Sequence, residues 1–261
     1  MSKKSHYRLI PPLEKLPRPI WARNEQWDDA GSVTHWHQHP WGQFSYAVSG
    51  VLSVLTEQSR FVAPSQYAIW VPCGVSHQVV SNAAAVMRSL YIAPSYLSET
   101  RWQSPLVVEV SVLVRELIQQ FCQGEPLWEE HSAQQRLAMV LVDQIQSLKS
   151  ARMQLPIPTD RRLLQLCQLM QRQPDGHQTM KQLAEQVGLS SRSVSRLFVL
   201  QTGLTFRQWR QRLRLFYALD CLERQQRVTE VAQACGYDSL SAFVLAFRQQ
   251  FGVTPGRYFH R

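Results

Sequence analysis

The sequence predicts an α+β protein of several domains, in which an N-terminal β-barrel and two amphipathic helices precede an all-α domain with two helix-turn-helix units. Three observations lead to this prediction. Short apolar runs separated by turn residues fill about residues 27–93, a helical period begins near Pro105, and one C-terminal segment is repeated. We place the boundaries as an arm at 1–25, a barrel domain at 26–104, a helical segment at 105–151, a linker at 152–159 and a C-terminal domain at 160–261.

The composition is that of a folded protein without a membrane span. The 261 residues are 44% hydrophobic and 18% charged, which suffices for two cores and argues against disorder. The sequence has no run of about eighteen apolar residues, and its first residues lack the apolar stretch of a signal peptide. The five cysteines are scattered without a C-x-x-C pair, so we expect reduced thiols and a cytoplasmic location.

The net charge of +9 is concentrated in the C-terminal part of the chain. Residues 156–261 hold 15 Lys and Arg against 7 Asp and Glu, which is +8, whereas residues 1–155 hold 13 against 12, which is +1. Lys181 is the only lysine of the C-terminal part, and the planar guanidinium of arginine suits phosphates and guanine edges. This pattern favours a nucleic-acid partner, although a solvated basic surface would have the same charge.

The first part of the chain is predicted to alternate strands and turns. Residues 1–25 contain several prolines and little periodicity, which indicates an extended arm. The apolar runs predict strands at 44–48, 51–55, 67–71 and 87–92. Apolar residues at helical spacing then predict helices at 106–121 and 132–148, which could form a dimerisation segment or simply cover the barrel.

The C-terminal repeat has the features of a duplicated helix-turn-helix. Gly188 matches Gly236, an offset of 48 residues. Each glycine supplies the left-handed conformation that ends one helix and turns the chain into the next. We expect the two units at about 179–201 and 228–251.

Capping residues mark where the helices of this domain begin. Ser190 and Asp238 stand at the expected start of the second helix of each unit. Thr205 and Gln208 form a capping-box pattern that opens a long helix over residues 206–224. This helix is expected to join the two units.

The segment from Gly236 to Tyr258, which reads GYDSLSAFVLAFRQQFGVTPGRY, resembles the C-terminal signature of the AraC/XylS family of bacterial transcription regulators. The resemblance covers roughly residues 160–261. It implies a homodimer that binds double-stranded promoter DNA through two helix-turn-helix units in successive major grooves. It also implies a small-molecule effector, and a contact with RNA polymerase if the protein is an activator.

The second helix of the first unit is expected to lie in a major groove with its outward side chains toward the bases. The apolar positions of this helix face the core, which leaves a polar face of Ser191, Arg192, Ser195 and Arg196. The family resemblance implies that Arg192, Ser195 and Arg196 read bases. Two arginines one turn apart can both reach guanine edges.

The second unit presents an outward face without charge. Its outward positions by helical register are Leu240, Ser241, Val244 and Leu245. These side chains offer thymine-methyl contacts and few hydrogen bonds. We therefore expect the first unit to carry most of the base discrimination, and the second to anchor the protein on phosphates through Arg248 and Arg257.

The N-terminal histidines resemble the two cupin motifs. Residues 37–50 have the H-x-H, Q and G spacing of the first motif, and residues 72–77 have the P-x-G-x-x-H of the second. Glutamine at Gln43 replaces the usual acid, and Gln66 replaces the usual first glycine of the second motif. The resemblance implies a ligand set for a divalent metal ion of His37, His39, Gln43 and His77, and such a site suits Zn, Fe, Ni or Cu.

A pocket for a small molecule without metal is the alternative use of the same barrel. His35 alternates with His37 and His39, so on a strand all three would point to one face. Trp36, Trp41 and Trp70 flank the motif, and with His35 they would line an aromatic pocket for a flat organic ligand.

These features predict a one-component transcription regulator that is not an enzyme, in which a cupin-like sensor domain modulates DNA binding. Two alternatives stay open. One is a metal-dependent cupin enzyme with an accessory DNA-binding domain, and the other is a ligand-independent regulator whose barrel only dimerises.

Overall fold

The computed structural model describes residues 6–10, 13–27, 32–81, 84–97, 99–224 and 226–258. The chain divides into two compact units, Met1–Gln154 and Leu155–Arg261. The first is rich in strands and the second is helical, so the predicted fold class is confirmed. In the part of the chain that the structure describes, every helix is too short or too polar to cross a membrane.

Two six-stranded sheets contain the described strands of the chain. Their orders are β1-β3-β8-β5-β6-β12 and β11-β10-β7-β4-β9-β2. The strands are β1 (His6–Arg8), β2 (Ile20–Trp27), β3 (Ser32–Thr34), β4 (Gly42–Ser49), β5 (Val51–Thr56), β6 (Ser59–Pro64), β7 (Tyr67–Val71), β8 (His77–Ser81), β9 (Ala85–Ile92), β10 (Leu106–Glu109), β11 (Ser150–Ala151) and β12 (Gln154–Pro156). The four strands expected from the apolar runs correspond to β4, β5, β7 and β9.

The predicted arm contains strands, which corrects the first boundary. Strand β2 pairs antiparallel with β9 over eight residues, from Ile20 opposite Ile92 to Trp27 opposite Ala85. Ile20 and Trp27 are buried at the two ends of β2. The prolines just before β2 concealed it in the sequence. The rest of the predicted arm lies partly outside the described residues.

The region after Pro105 begins with a strand and not with a helix. Residues 106–109 form β10, which pairs antiparallel with β7 in the register Leu106 opposite Trp70. The run Leu-Val-Val-Glu is rich in β-branched residues, which favour a strand where a neighbouring edge is free to pair. Helix α1 (Val112–Gln123) starts only after this strand, where the hydroxyl of Ser111 accepts a hydrogen bond from the backbone N–H of Val114.

Helices α1 and α2 (Ala133–Gln146) cover the second sheet. Ile118 of α1 and Leu141 of α2 are fully buried in one core with Phe44 and Leu90 of the sheet. The apolar stripes of both helices therefore serve at least to close the barrel domain. Residues 154–156 of the predicted linker likewise form a strand, β12.

The second unit consists of helices. They are α3 (Arg161–Arg172), α4 (Met180–Gln186), α5 (Ser191–Thr202), α6 (Phe206–Glu223), α7 (Val228–Ala234), α8 (Leu240–Phe251) and α9 (Pro255–Tyr258). The turns between α4 and α5 and between α7 and α8 pass through Gly188 and Gly236, whose φ angles are 69° and 70°. Both glycines adopt the left-handed conformation expected from the repeat.

Capping follows the sequence prediction at α5 and α6 and departs from it at α8. Ser190 caps α5, and Thr205 with Gln208 makes a complete capping box at α6. The cap of α8 is Ser239, whose hydroxyl accepts from the backbone N–H of Ala242 at 3.2 Å, and not Asp238. The turn places Ser239 three residues before that N–H group, which is the spacing that a side-chain cap needs.

Candidate functional site: a histidine cluster and a helical DNA interface

Three histidines converge in the strand-rich unit. His37 makes an isolated β-bridge with His77, the first residue of β8, and the two backbones exchange hydrogen bonds of 3.0 and 2.9 Å. His39 follows two residues later. One ring nitrogen from each histidine lies within 4.8 Å of the others.

The orientation of each imidazole is fixed by its own backbone. In each case Nδ1 lies near a backbone carbonyl oxygen two residues away in sequence. The pairs are His37 with His35 at 2.8 Å, His39 with Trp41 at 2.7 Å, and His77 with Val75 at 2.9 Å. Because a carbonyl oxygen can only accept, Nδ1 carries the proton and Nε2 of the neutral ring presents a lone pair.

Gln43 of β4 completes the cluster. Its amide nitrogen donates to the hydroxyl of Ser45 at 2.9 Å, and its amide oxygen faces the histidines. That oxygen lies 3.0 Å from Nε2 of His39 and 3.2 Å from Nε2 of His77. Nε2 of His37 is buried, and in the described part of the chain it has no hydrogen-bond partner. Four lone-pair atoms therefore meet without a proton between them.

Two imidazoles of this cluster, those of His37 and His77, are shifted toward the neutral form. Burial, followed by the nearby His37, lowers the pKa of His77 to about 3. Burial also lowers the pKa of His37, although its hydrogen bond to the carbonyl of His35 opposes the shift. Neutral imidazole is the form that binds metal ions.

A cavity of about 410 Å³ opens over two of these histidines. It is lined by Ile10, Leu13, Trp21, Arg23, His37, Gln38, His39, Trp41 and Tyr91. Trp41 stacks on His39 with ring centroids 5.2 Å apart, and Trp21 stacks on Tyr91 at 5.7 Å. The cavity is of the size and apolar character of small-molecule sites.

Of the four residues predicted to line the aromatic pocket, Trp41 lines the cavity. The other three, His35, Trp36 and Trp70, do not. His35 and Trp36 are exposed because residues 35 and 36 follow the end of β3, so the expected strand alternation does not hold there. The ring of His35 stacks on Tyr7 at 5.4 Å. Trp70 belongs to the core beneath the second sheet, where its indole N–H donates to the carbonyl of Trp102 at 2.7 Å.

Trp21, Arg23 and Tyr91 also line the cavity, although no sequence motif predicted them. They lie on β2 and β9, and Trp21 is directly opposite Tyr91 in the paired register. Arg23 is held by an ion pair of 2.8 Å with Glu25. The alternation of side chains along residues 20–27 was the available signal, because Trp21 and Arg23 share one face of that strand.

The second helix of the first helix-turn-helix unit, α5, presents the expected polar face. Val194 and Phe198 are fully buried. Arg192, Ser195 and Arg196 are exposed, and Ser191 is half-buried. This arrangement leaves both arginines free to reach a groove.

The corresponding helix of the second unit, α8, is apolar on its outward face. Phe243 and Phe247 are fully buried, whereas Leu240 and Leu245 are 43% and 58% exposed. Of the other two outward positions, Ser241 is exposed and Val244 is half-buried, and Arg248 in the last turn of the helix is also exposed. Arg257 of α9 is also exposed. The asymmetry between the two units is therefore present in the folded chain.

Known protein families resemble both the strand-rich unit and the helical unit of this chain. A model of AraC-like ligand binding domains matches residues 25–187, and a model of helix-turn-helix domains matches residues 183–261. The HTH-type transcriptional regulator NimR of Escherichia coli K12 is 34% identical over 86% of this chain and 82% of its own length. The regulator RipA of Corynebacterium glutamicum is 29% identical over 40% of this chain and 31% of its own length.

Among solved structures, ToxT from Vibrio cholerae covers 92% of this chain and 98% of its own, with 10% identity and a TM-score of 0.39. The family models together span the strand-rich unit and the helical unit. The chain belongs to the AraC family of transcriptional regulators, with an N-terminal ligand-binding domain and a C-terminal helix-turn-helix domain that binds DNA.

Proposed function

We propose that this protein is a cytoplasmic homodimer that regulates transcription in response to a ligand held at a metal ion in the histidine cluster. The observation that carries the proposal is the convergence of Nε2 of His37, His39 and His77 with the amide oxygen of Gln43. Converging lone pairs repel one another unless a cation lies between them. Burial disfavours a proton as that cation, because it lowers the pKa of His77 to about 3.

The donor set fits a divalent transition metal. Three neutral imidazoles and one amide oxygen suit Zn²⁺, Fe²⁺, Ni²⁺ or Cu²⁺. The backbone carbonyls that fix Nδ1 of each ring are the outer-sphere partners that such ligands ordinarily have. When bound, the ion would supply a Lewis-acidic coordination position for a ligand.

The cavity supplies access to that position. His37 and His39 line it, whereas His77 and Gln43 lie behind them with 0% and 2% of their surface exposed. A small molecule in the cavity therefore approaches the cluster from the side of His37 and His39. We propose that this molecule is the effector and that the site binds it without turnover, as a sensor requires.

On the DNA side, we propose that α5 reads bases and that α8 mainly positions the protein. The exposed Arg192 and Arg196 can each donate two hydrogen bonds to guanine. Leu240 and Leu245 can contact thymine methyl groups. If the protein activates transcription, RNA polymerase is the expected further partner.

Metal analysis of protein purified without a chelating tag tests the proposal. We expect close to one ion per chain in the wild type, loss of the ion in His77→Ala, and retention in His35→Ala, whose ring lies outside the cluster. A gel shift on the upstream region of its own gene should change when the ion is removed with a chelator. Absence of metal in the wild type would contradict the metal site, and turnover of a cavity ligand by the loaded protein would favour the enzyme instead.

A further inference from the structure

A second cavity, of about 570 Å³, lies within the helical unit. Its walls come from α6, from α8 and from the turns that precede α4 and α8. Four cationic or titratable nitrogen side chains face it, namely His177, Arg207, Arg210 and Arg214, and Asp238 is the one acid among the described lining residues. We propose that this cavity receives a backbone phosphate of the bound DNA duplex, an inference that rests on the proposed DNA binding.

Two arginines at the base of the cavity bond to backbone carbonyls, and among the described residues neither forms an ion pair. Arg210 donates to the carbonyl oxygens of Gln178, at 2.6 Å, and of Gly176. Arg214 donates to Pro174 and Gly176, both at 3.0 Å. Carbonyl dipoles satisfy the N–H groups but cancel no charge. These carbonyl contacts therefore leave both guanidinium charges in place.

The pKa of Arg210 is lowered, as expected for a guanidinium that has no acidic partner beside it. Burial lowers its pKa first, and the charge of Arg214 lowers it further. No acidic side chain opposes these two effects in the described part of the chain. An anion placed between Arg210 and Arg214 would relieve their mutual repulsion.

Arg207 lies on the same face of α6. It precedes Arg210 by three residues and Arg214 by seven, a spacing that aligns all three side chains along one side of a helix. Unlike the other two, Arg207 is exposed. It can therefore close over an anion that the inner pair attracts.

The opposite wall explains why the anion belongs to DNA. It is formed by Ala242, Leu245 and Gln249 of α8, and Leu245 is one of the residues that we expect to face bases. A duplex whose major groove receives α8 places its sugar–phosphate strand beside that helix. The cavity would thus give the second unit a phosphate anchor in addition to the exposed Arg248 and Arg257.

Arg207→Ala tests the proposal in the full chain, and Arg172→Ala is the matched control. Arg172 is an exposed arginine in the last turn of α3 that does not line this cavity. We expect Arg207→Ala to weaken binding to specific and random duplexes by the same factor. The slope of log K against log salt should become shallower by about 1, whereas Arg172→Ala leaves it unchanged.

A slope for Arg207→Ala equal to the wild-type slope, or equal losses in both variants, would overturn the proposal. A second result would also overturn it. Inorganic pyrophosphate would raise the melting temperature of the wild type above its value in sodium chloride of equal ionic strength. Arg207→Ala would abolish this rise without changing the salt slope of DNA binding. That result would assign the cavity to a free phosphate anion. A wild-type chain that binds no DNA would contradict the proposed function itself, which separates the two failures.

Discussion

The amide oxygen of Gln43 lies 3.2 Å from Nε2 of His77, although 34 residues separate them in the chain. The two residues belong to different sheets, so the contact joins β4 to β8. The Gln43 amide nitrogen donates to Ser45, while the amide oxygen faces His77. This relationship makes Gln43 part of the histidine cluster and not merely its neighbour.

Replacing Gln43 with glutamate should strengthen metal binding and weaken the metal-free fold. A carboxylate adds a negative ligand to three neutral imidazoles, which should raise affinity by roughly tenfold or more, or about 1.4 kcal/mol. Without metal, the buried charge should lower the free energy of unfolding by about 1–3 kcal/mol or more. Chelator competition and urea unfolding measure the two effects.

Gln38→Glu is the matched control for that substitution. Gln38 lines the same cavity but is exposed and lies outside the cluster. We expect near-wild-type metal affinity from it. Weaker metal binding in Gln43→Glu than in Gln38→Glu would argue against Gln43 as a ligand.

Arg196→Ala should remove discrimination at one or two base pairs. A bidentate contact from an exposed arginine to guanine contributes about 1–3 kcal/mol of preference for the correct base. Selection from random duplexes, with wild type and variant side by side, measures this preference. As a control, Arg248→Ala should weaken binding to all sequences by a similar factor. An unchanged consensus sequence for Arg196→Ala would exclude base reading by Arg196.

The two halves of the DNA site should differ in information content. The half that meets α5 should be well defined, because α5 presents Arg192 and Arg196. The half that meets α8 should tolerate substitution and favour thymine, because Leu240 and Leu245 offer only apolar contact. The same selection experiment reports both halves, and two equally informative halves would disprove the asymmetry.

Cys73 should be the thiol that reacts fastest with alkylating reagents in the folded protein. It is exposed, whereas Cys167, Cys221 and Cys235 are buried. Burial raises the pKa of Cys122 to about 11 and of Cys235 to about 12, so few thiolates form there near neutral pH. Mass spectrometry after brief labelling at pH 8 checks this, and early modification of Cys167 would contradict the described core.

Local patterns in the sequence predicted the helical unit well, since its features are short-range. Gly188 and Gly236 end helices, and Thr205 with Gln208 starts one, within a few residues of chain. The strand at 106–109 escaped prediction because its pairing with β7 depends on a partner more than thirty residues away. Apolar runs alone do not separate a strand from the first turn of a helix.

The sequence predicted which residues form the histidine cluster, but not which residues surround it. The H-x-H and later histidine are motifs that a sequence displays directly. Trp21 and Tyr91 meet only through the register of β2 against β9, and Trp70 turns away from the cavity because its side of β7 faces the helical cover. Which face a strand residue occupies depends on the sheet that it joins.

The most direct test of the metal-dependent sensor is a crystal of the tag-free protein measured at the absorption edge of the metal found in it. We expect one anomalous peak per chain, bounded by Nε2 of His37, His39 and His77 and by the amide oxygen of Gln43. No peak at that position, or a peak held by other residues, would contradict the account.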